Sequence, residues 1–133
     1  MPSSTIIELT NAKICQPDHL VLSNVNIIIK KGEFVYLIGK TGSGKTSLLQ
    51  TLYCDLQLTE GNGKVTGYDL QEIKEKEIPY LRRKLGIVFQ DFQLLTDRTV
   101  TENFIFVMKA TGWKDKKEME ERIHNVLSRV GTL

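Results

Sequence analysis

The segment Gly39 to Thr46 reads GKTGSGKT, and it constrains the fold of this chain more than any other stretch. It satisfies the spacing G-x-x-x-x-G-K-[ST] in full, follows the apolar run Phe34 to Ile38, and opens a helical stretch, Thr46 to Tyr53. An unbroken apolar run of that length is the pattern of a strand buried on both faces, so strand, glycine loop and helix are expected as one unit. Glycines at 39, 42 and 44 let the backbone bend without a Cβ, so that successive N–H groups converge on phosphate oxygens. The following helix adds the partial positive charge of its N-terminus. Lys45 supplies a compact cation for the β- and γ-phosphates of a nucleotide, and the Thr46 hydroxyl is a hard oxygen ligand suited to Mg2+. With glycine near 7% of residues, the pattern should arise by accident in on the order of one chain in two hundred of this length. Requiring the strand before it and the helix after it lowers that further, and nucleotide phosphate binding is the first expectation.

Composition removes several other classes. A chain of 133 residues, 41% hydrophobic and 26% charged, is ordinary for one compact domain with a modest core. Its 18 basic and 16 acidic residues are interspersed, which gives a net charge of +2 and no basic stripe of the kind nucleic acid requires. Cys15 and Cys54 lie far apart and share no metal-ligand spacing with His19 or His124, so they read as reduced thiols rather than a zinc site or a disulfide. No stretch approaches the roughly 18 consecutive apolar residues of a membrane span, so membrane contact is expected only through a partner.

Elsewhere short β-like runs alternate with helical ones, the mark of an α/β architecture. Ile6 to Leu9 and Leu22 to Ile29 read as strands, the second ending at Lys30-Lys31-Gly32. Gly61-Asn62-Gly63 reads as a turn into a short strand around Val65, and Pro79 as the opening of a helix to Lys84. Leu85 to Phe89 is a second buried-type strand. Thr99 with Glu102 and Asp115 with Glu118 have capping-box spacing, and Gly112 is placed to stop the first of two helices. In the last helix Met119, Ile123, Val126, Leu127 and Val130 form a core stripe, with Glu118 and Arg122 paired on another face.

A phosphate loop alone is shared by kinases, GTPases and motor ATPases. A long β-rich stretch ahead of the loop's strand and the strand Leu85 to Phe89 running into Gln90, within LRRKLGIVFQDFQLL, narrow the choice. On IKKGEFVYLIGKTGSGKTSLLQTLY, IPYLRRKLGIVFQDFQLLTDRTVTENF and VLSRVG the chain resembles the ATP-binding-cassette family, its cell-division branch above all, with macrolide and lipoprotein exporter ATPases nearby. The resemblance implies an α/β fold: a P-loop NTPase core with an N-terminal antiparallel β part and the start of the helical subdomain, truncated. It implies one partial nucleotide-binding domain over 1–133, divided into 1–98 (β part, phosphate loop and glutamine loop) and 99–133 (helical subdomain). ATP and Mg2+ are the implied ligands. The implied nucleotide-binding residues are Gly39, Lys40, Thr41, Gly42, Ser43, Gly44, Lys45, Thr46, Ser47 and Gln90, with Thr46 and Gln90 on the metal side. A polytopic membrane subunit, an FtsX-like permease, is expected to contact the stretch from Gln90 to Arg98. A homodimer is implied for the complete domain, cytoplasmic and held at the inner membrane by that partner.

Two departures from the family qualify this. The aromatic residue that stacks on adenine in the family falls at Cys15, which has no π-face, and neither His19 nor Tyr36 has the spacing to replace it. The signature sequence, the strand ending in Asp-Glu and the histidine loop do not occur within these 133 residues, so no catalytic residue is assigned and binding without turnover is expected. A nucleotide-binding fragment without catalysis is the alternative function. A small phosphate-loop kinase is a third, disfavoured because such enzymes place the loop close to the N-terminus. A parallel sheet lacking later strands should also leave apolar surface exposed.

Overall fold

The computed structural model describes residues 4–89 and 93–131. They fall into two compact units, Met1–Gly86 and Ile87–Leu133.

The first unit is built on a four-stranded antiparallel sheet. Its strands are β1 (Thr5–Gln16), β2 (His19–Lys30), β3 (Glu60–Val65) and β4 (Tyr68–Asp69), in the order β2-β1-β3-β4. β1 runs well past the expected Leu9, because a bulge keeps it useful to the core. Leu9, Ala12 and Ile14 are all buried, yet 9 and 12 have opposite parity and a regular strand would turn them to opposite faces. Asn11 sits between them at φ 48°, where the register with β2 shifts, and the extra residue restores the inward direction. Its N–H donates to Asn26 Oδ1 at 3.0 Å, so the disturbed ladder keeps its hydrogen bonding.

Gly61-Asn62-Gly63 is not a turn, contrary to the sequence expectation; it lies inside β3, paired with β1. Its glycines serve close approach. A Cβ on Gly61 would stand 2.4 Å from the Asn11 carbonyl oxygen, and one on Gly63 would press into Leu9, Leu58 and Leu70. Helices α1 (Lys45–Leu52) and α2 (Ile78–Arg83) complete the unit. Leu48 of α1 and Leu81 of α2 join Leu9, Ile14, Leu58, Val65 and Leu70 in one apolar cluster. Each such side chain contributes about 1.5–3 kcal/mol by leaving water.

The two expected buried strands are not formed. Residues 34–38 and 85–89 carry no ladder; Phe34 is 83% exposed, Ile38 88% and Val88 93%. A strand is completed by hydrogen bonds to neighbours, and the sheet among the described residues is antiparallel and built elsewhere in the chain. Without neighbouring strands the run 34–38 stays exposed, while in 85–89 Leu85, Ile87 and Phe89 are half-buried and Val88 is exposed.

The second unit pairs α3 (Val100–Ala110) with α4 (Lys116–Arg129). Both expected caps are present. Thr99 Oγ1 accepts from Glu102 N at 3.1 Å, and Asp115 Oδ1 accepts from Lys117 N and Glu118 N. Gly112, at φ 104°, ends the first helix. Met119 and Ile123 are buried against Met108, and Leu127 packs beside them, but Val130 is 65% exposed and outside the stripe. Glu118 and Arg122 do not pair; among the described residues Lys13 and Glu60 form an ion pair at 2.8 Å, and Asp18 Oδ1 lies 2.6 Å from His19 Nδ1.

Candidate functional site

The phosphate loop hangs between the extended segment that ends at Ile38 and the start of α1. Gly44 is the N-cap of that helix, in the left-handed region at φ 101°, and no side chain caps it. No acidic residue lies in the first turn. The first backbone N–H groups of a helix have no intrahelical acceptor, so this terminus presents donors and partial positive charge unopposed by a local carboxylate. Ser43 N donates to Lys40 O at 3.0 Å and closes the loop into a turn. Lys45 Nζ folds back on the same turn, donating to the carbonyls of Gly39 and, at 3.0 Å, Lys40. Gly42, at φ 80°, has open space where a side chain would stand. Thr46 is exposed, Ser47 is buried, and Thr41 lies exposed on the loop.

The loop is anchored from below by β2: a Cβ on Gly44 would come within 2.7 Å of Val21 Cγ1 and 3.0 Å of Leu22 Cγ. It is also tied to the end of β1. Gln16 Nε2 donates to Ser47 Oγ at 2.9 Å and to Gln50 Oε1 at 3.3 Å, and Gln50 Nε2 donates to Asp55 Oδ2 at 3.1 Å. Sequence reasoning did not single out Gln16, Gln50 or Asp55. The Gln16–Ser47 contact joins residues 31 apart in sequence, and no local pattern announces it.

Residues 39–47 thus form one contiguous loop and helix start. Gln90, and with it Asp91 and Phe92, lies outside the described residues. Of the positions considered for the nucleoside base, Cys15 is half-buried on β1 opposite Leu20, His19 contacts Asp18 at 2.6 Å, and Tyr36 meets Phe34 edge-on with ring centroids 5.1 Å apart. The His19 hydrogen bond lowers the Asp18 pKa.

In the second unit one further side chain, which no sequence pattern marks, organises a loop. Asn103, in the first turn of α3, accepts from Leu95 N at 2.8 Å through Oδ1. Its Nδ2 donates to Leu95 O, Arg98 O and Thr99 O. This one amide holds the loop that leads into the helix. Arg98 also lies over the Phe106 ring, 5.4 Å from its centroid. Among the described residues there is no cluster of histidine, cysteine or carboxylate groups able to hold a metal ion, and no helix long and apolar enough to cross a membrane.

A glycine loop that opens an uncapped helix, with lysine and threonine at its mouth, defines a P-loop protein. The chain belongs to the ABC transporter family, which matches it over residues 22–133. Cell division ATP-binding protein FtsE of Bacillus subtilis is 40% identical over 109 residues, 82% of this chain and 47% of that protein. FtsE of Streptococcus pneumoniae is 37% identical over 110 residues, 83% and 47% respectively. Methionine import ATP-binding protein MetN of Helicobacter pylori is 35% identical over 127 residues, 95% and 38%. The dimeric ATP-binding cassette MJ0796 bound to ADP and Pi superposes with a TM-score of 0.78 at 30% identity, over 92% of this chain and 56% of that one. CbiO1 of Clostridium perfringens gives 0.81 at 27% identity, over 96% and 51%. The chain therefore spans about half the length of the FtsE relatives it matches.

Proposed function

We propose that this chain binds ATP with Mg2+ through residues 39–47 and Gln90, as the nucleotide-gripping part of an FtsE-like subunit. The observation that carries the reading is the helix terminus at Gly44: uncapped, without a nearby carboxylate, and overlooked by the Lys45 ammonium. The carbonyls that Lys45 now holds are neutral acceptors, and phosphate oxygens offer a stronger, charge-assisted alternative within the same reach. The donor set fits the magnesium salt. Mg2+ keeps several waters and takes one or two protein oxygens besides the phosphates; the exposed Thr46 hydroxyl would supply one and Gln90 the other. When bound, the ion would neutralise charge on the phosphates.

In the complete subunit this grip would serve ATP hydrolysis coupled to a membrane partner in cell division, with an FtsX-like permease touching the stretch from Gln90 to Arg98. Two cassettes would face each other, as in the dimeric relative. The likeness to MetN over 95% of the chain favours a second reading, a cassette of a transporter rather than of the division machinery. Co-purification of the chain with an FtsX-like permease, but not with an importer permease, separates the two.

Titration of the purified chain with a fluorescent ATP analogue tests the core of the reading. Lys45→Ala should weaken binding by at least tenfold, and Thr46→Ala should remove its Mg2+ dependence. Unchanged binding by Lys45→Ala would overturn it. With a thiol at Cys15 in place of an aromatic platform, ATP and GTP should bind within a few-fold of each other, and a strong ATP preference would show that adenine finds another surface. No sustained phosphate release is expected from the 133 residues alone.

A further inference from the structure

The contact between Gln16 and Ser47 has a direction, and the residues behind it decide which. Asp55 is exposed, and its carboxylate only accepts, so Gln50 must turn its NH2 toward it; the observed contact is Gln50 Nε2 to Asp55 Oδ2 at 3.1 Å. That leaves Gln50 Oε1 facing the other way, where it needs a donor. Gln16 must therefore present its own NH2, and it does so to both Gln50 Oε1 at 3.3 Å and Ser47 Oγ at 2.9 Å. Ser47 Oγ is obliged to accept, and its proton is left to be given elsewhere. The backbone of Gln16 is fixed by the tight connection to β2, where Gln16 pairs with His19. Ser47 itself is 8% exposed and held in the first turn of α1, directly after Lys45 and Thr46.

Resting on the nucleotide-binding reading above, we propose that Asp55, Gln50 and Gln16 form a polarity relay that makes the Ser47 hydroxyl a hydrogen-bond donor to the bound phosphates. Gln16, Gln50 and Asp55 are positioning residues, acting through Ser47 without touching the nucleotide. A serine hydroxyl can rotate to donate or to accept, and inside a helix it readily gives its proton to the carbonyl one turn back. With Gln16 presenting its NH2, the hydroxyl cannot spend its proton on the Gln16 carbonyl oxygen, and a charged phosphate oxygen is a stronger acceptor than the neutral helix carbonyl that remains.

A double-mutant cycle on Mg-ATP affinity tests it, with Ser47→Ala as the second background. Gln16→Glu keeps the shape but accepts only, so the Ser47 proton turns to the new carboxylate; affinity should fall about tenfold with Ser47 present and no more than about twofold in Ser47→Ala, where only the added charge acts. Asp55→Asn, at the exposed far end, frees Gln50 to flip and should lower affinity about threefold, again only while Ser47 is present. That variant decides the matter should Gln16→Glu fail to fold. Equal losses in both backgrounds, or an unaltered affinity in Asp55→Asn, would overturn the relay while leaving the Lys45-dependent binding in place. An unsubstituted chain that takes up no Mg-ATP overturns the nucleotide-binding reading and the relay with it.

Discussion

Gly44 rests on Val21: no side chain could stand at position 44 without entering the valine, whose Cγ1 would lie 2.7 Å from a Cβ there. Position 42, two residues earlier in the same loop and also at positive φ, has nothing within 4 Å of the same construction. The two glycines are therefore required for different physical reasons, Gly42 by its backbone conformation alone and Gly44 by conformation and close packing together. Gly42→Ala should cost about 1–2 kcal/mol, the penalty of a left-handed L-residue. Gly44→Ala adds to that an overpacking term of about 1–3 kcal/mol. Urea unfolding of the two variants should rank them in that order, and Val21→Ala should recover part of the loss at 44 but none at 42. Equal losses at both positions would mean that the loop does not press on β2.

The Asn103 side-chain amide holds the loop from Leu95 to Thr99 through Leu95, Arg98 and Thr99. Asn103→Ala should lower local protection by about 1–3 kcal/mol, since each lost bond contributes about 1 kcal/mol and leaves backbone groups to find water. Hydrogen exchange at the Leu95 amide should accelerate by about tenfold or more as a result. Asn103→Asp keeps the acceptor for Leu95 N and loses the donors, so it should show a smaller change at that amide. Exchange unaffected by Asn103→Ala would place the loop's order elsewhere.

The β3–β4 connection is a two-residue turn, Thr66-Gly67, closed by the Val65–Tyr68 pair. Both residues have positive φ, 49° and 89°, and the Thr66 hydroxyl is buried without a hydrogen-bond partner. A β-branched residue is a poor occupant of that conformation, whereas Asn-Gly suits it. Thr66→Asn should stabilise the chain by about 0.5–2 kcal/mol, read as a higher urea midpoint at unchanged slope. A lower midpoint would show that the threonine methyl is worth more there than the turn.

Phe34 and Val88 project into solvent as the structure stands. Replacing either by serine should leave thermal stability within about 0.5 kcal/mol and reduce both binding of a hydrophobic dye and self-association. A substantial fall in stability would mean that these side chains are covered in solution, by a second chain or by further polypeptide.

The parts of the fold legible beforehand are those closed by local interactions. Thr99 and Asp115 cap their helices as their spacing indicates, and α1 begins within one residue of its expected start. The phosphate loop was legible for the same reason, because its glycines and lysine act within one short segment. Asn103 and Gln16 were not, since a lone amide in sequence says nothing of which carbonyls or hydroxyls it will meet.

By itself, then, the sequence determined the phosphate loop and the helices with the caps at Thr99 and Asp115, because each is settled by torsional preference and hydrogen bonds between near neighbours. Tertiary structure decided the rest. It placed Gly61 and Gly63 within a strand instead of a turn, because β1 crosses them too closely for a Cβ. It let β1 continue past Leu9 by a bulge that reverses the parity of its buried residues. It left the apolar runs at 34–38 and 85–89 without a ladder, since hydrophobicity marks what should be buried but a strand exists only where another strand lies beside it. And it brought Gln16 to Ser47, a contact that depends on where β1 ends and how α1 docks, neither of which is written in any local run of residues.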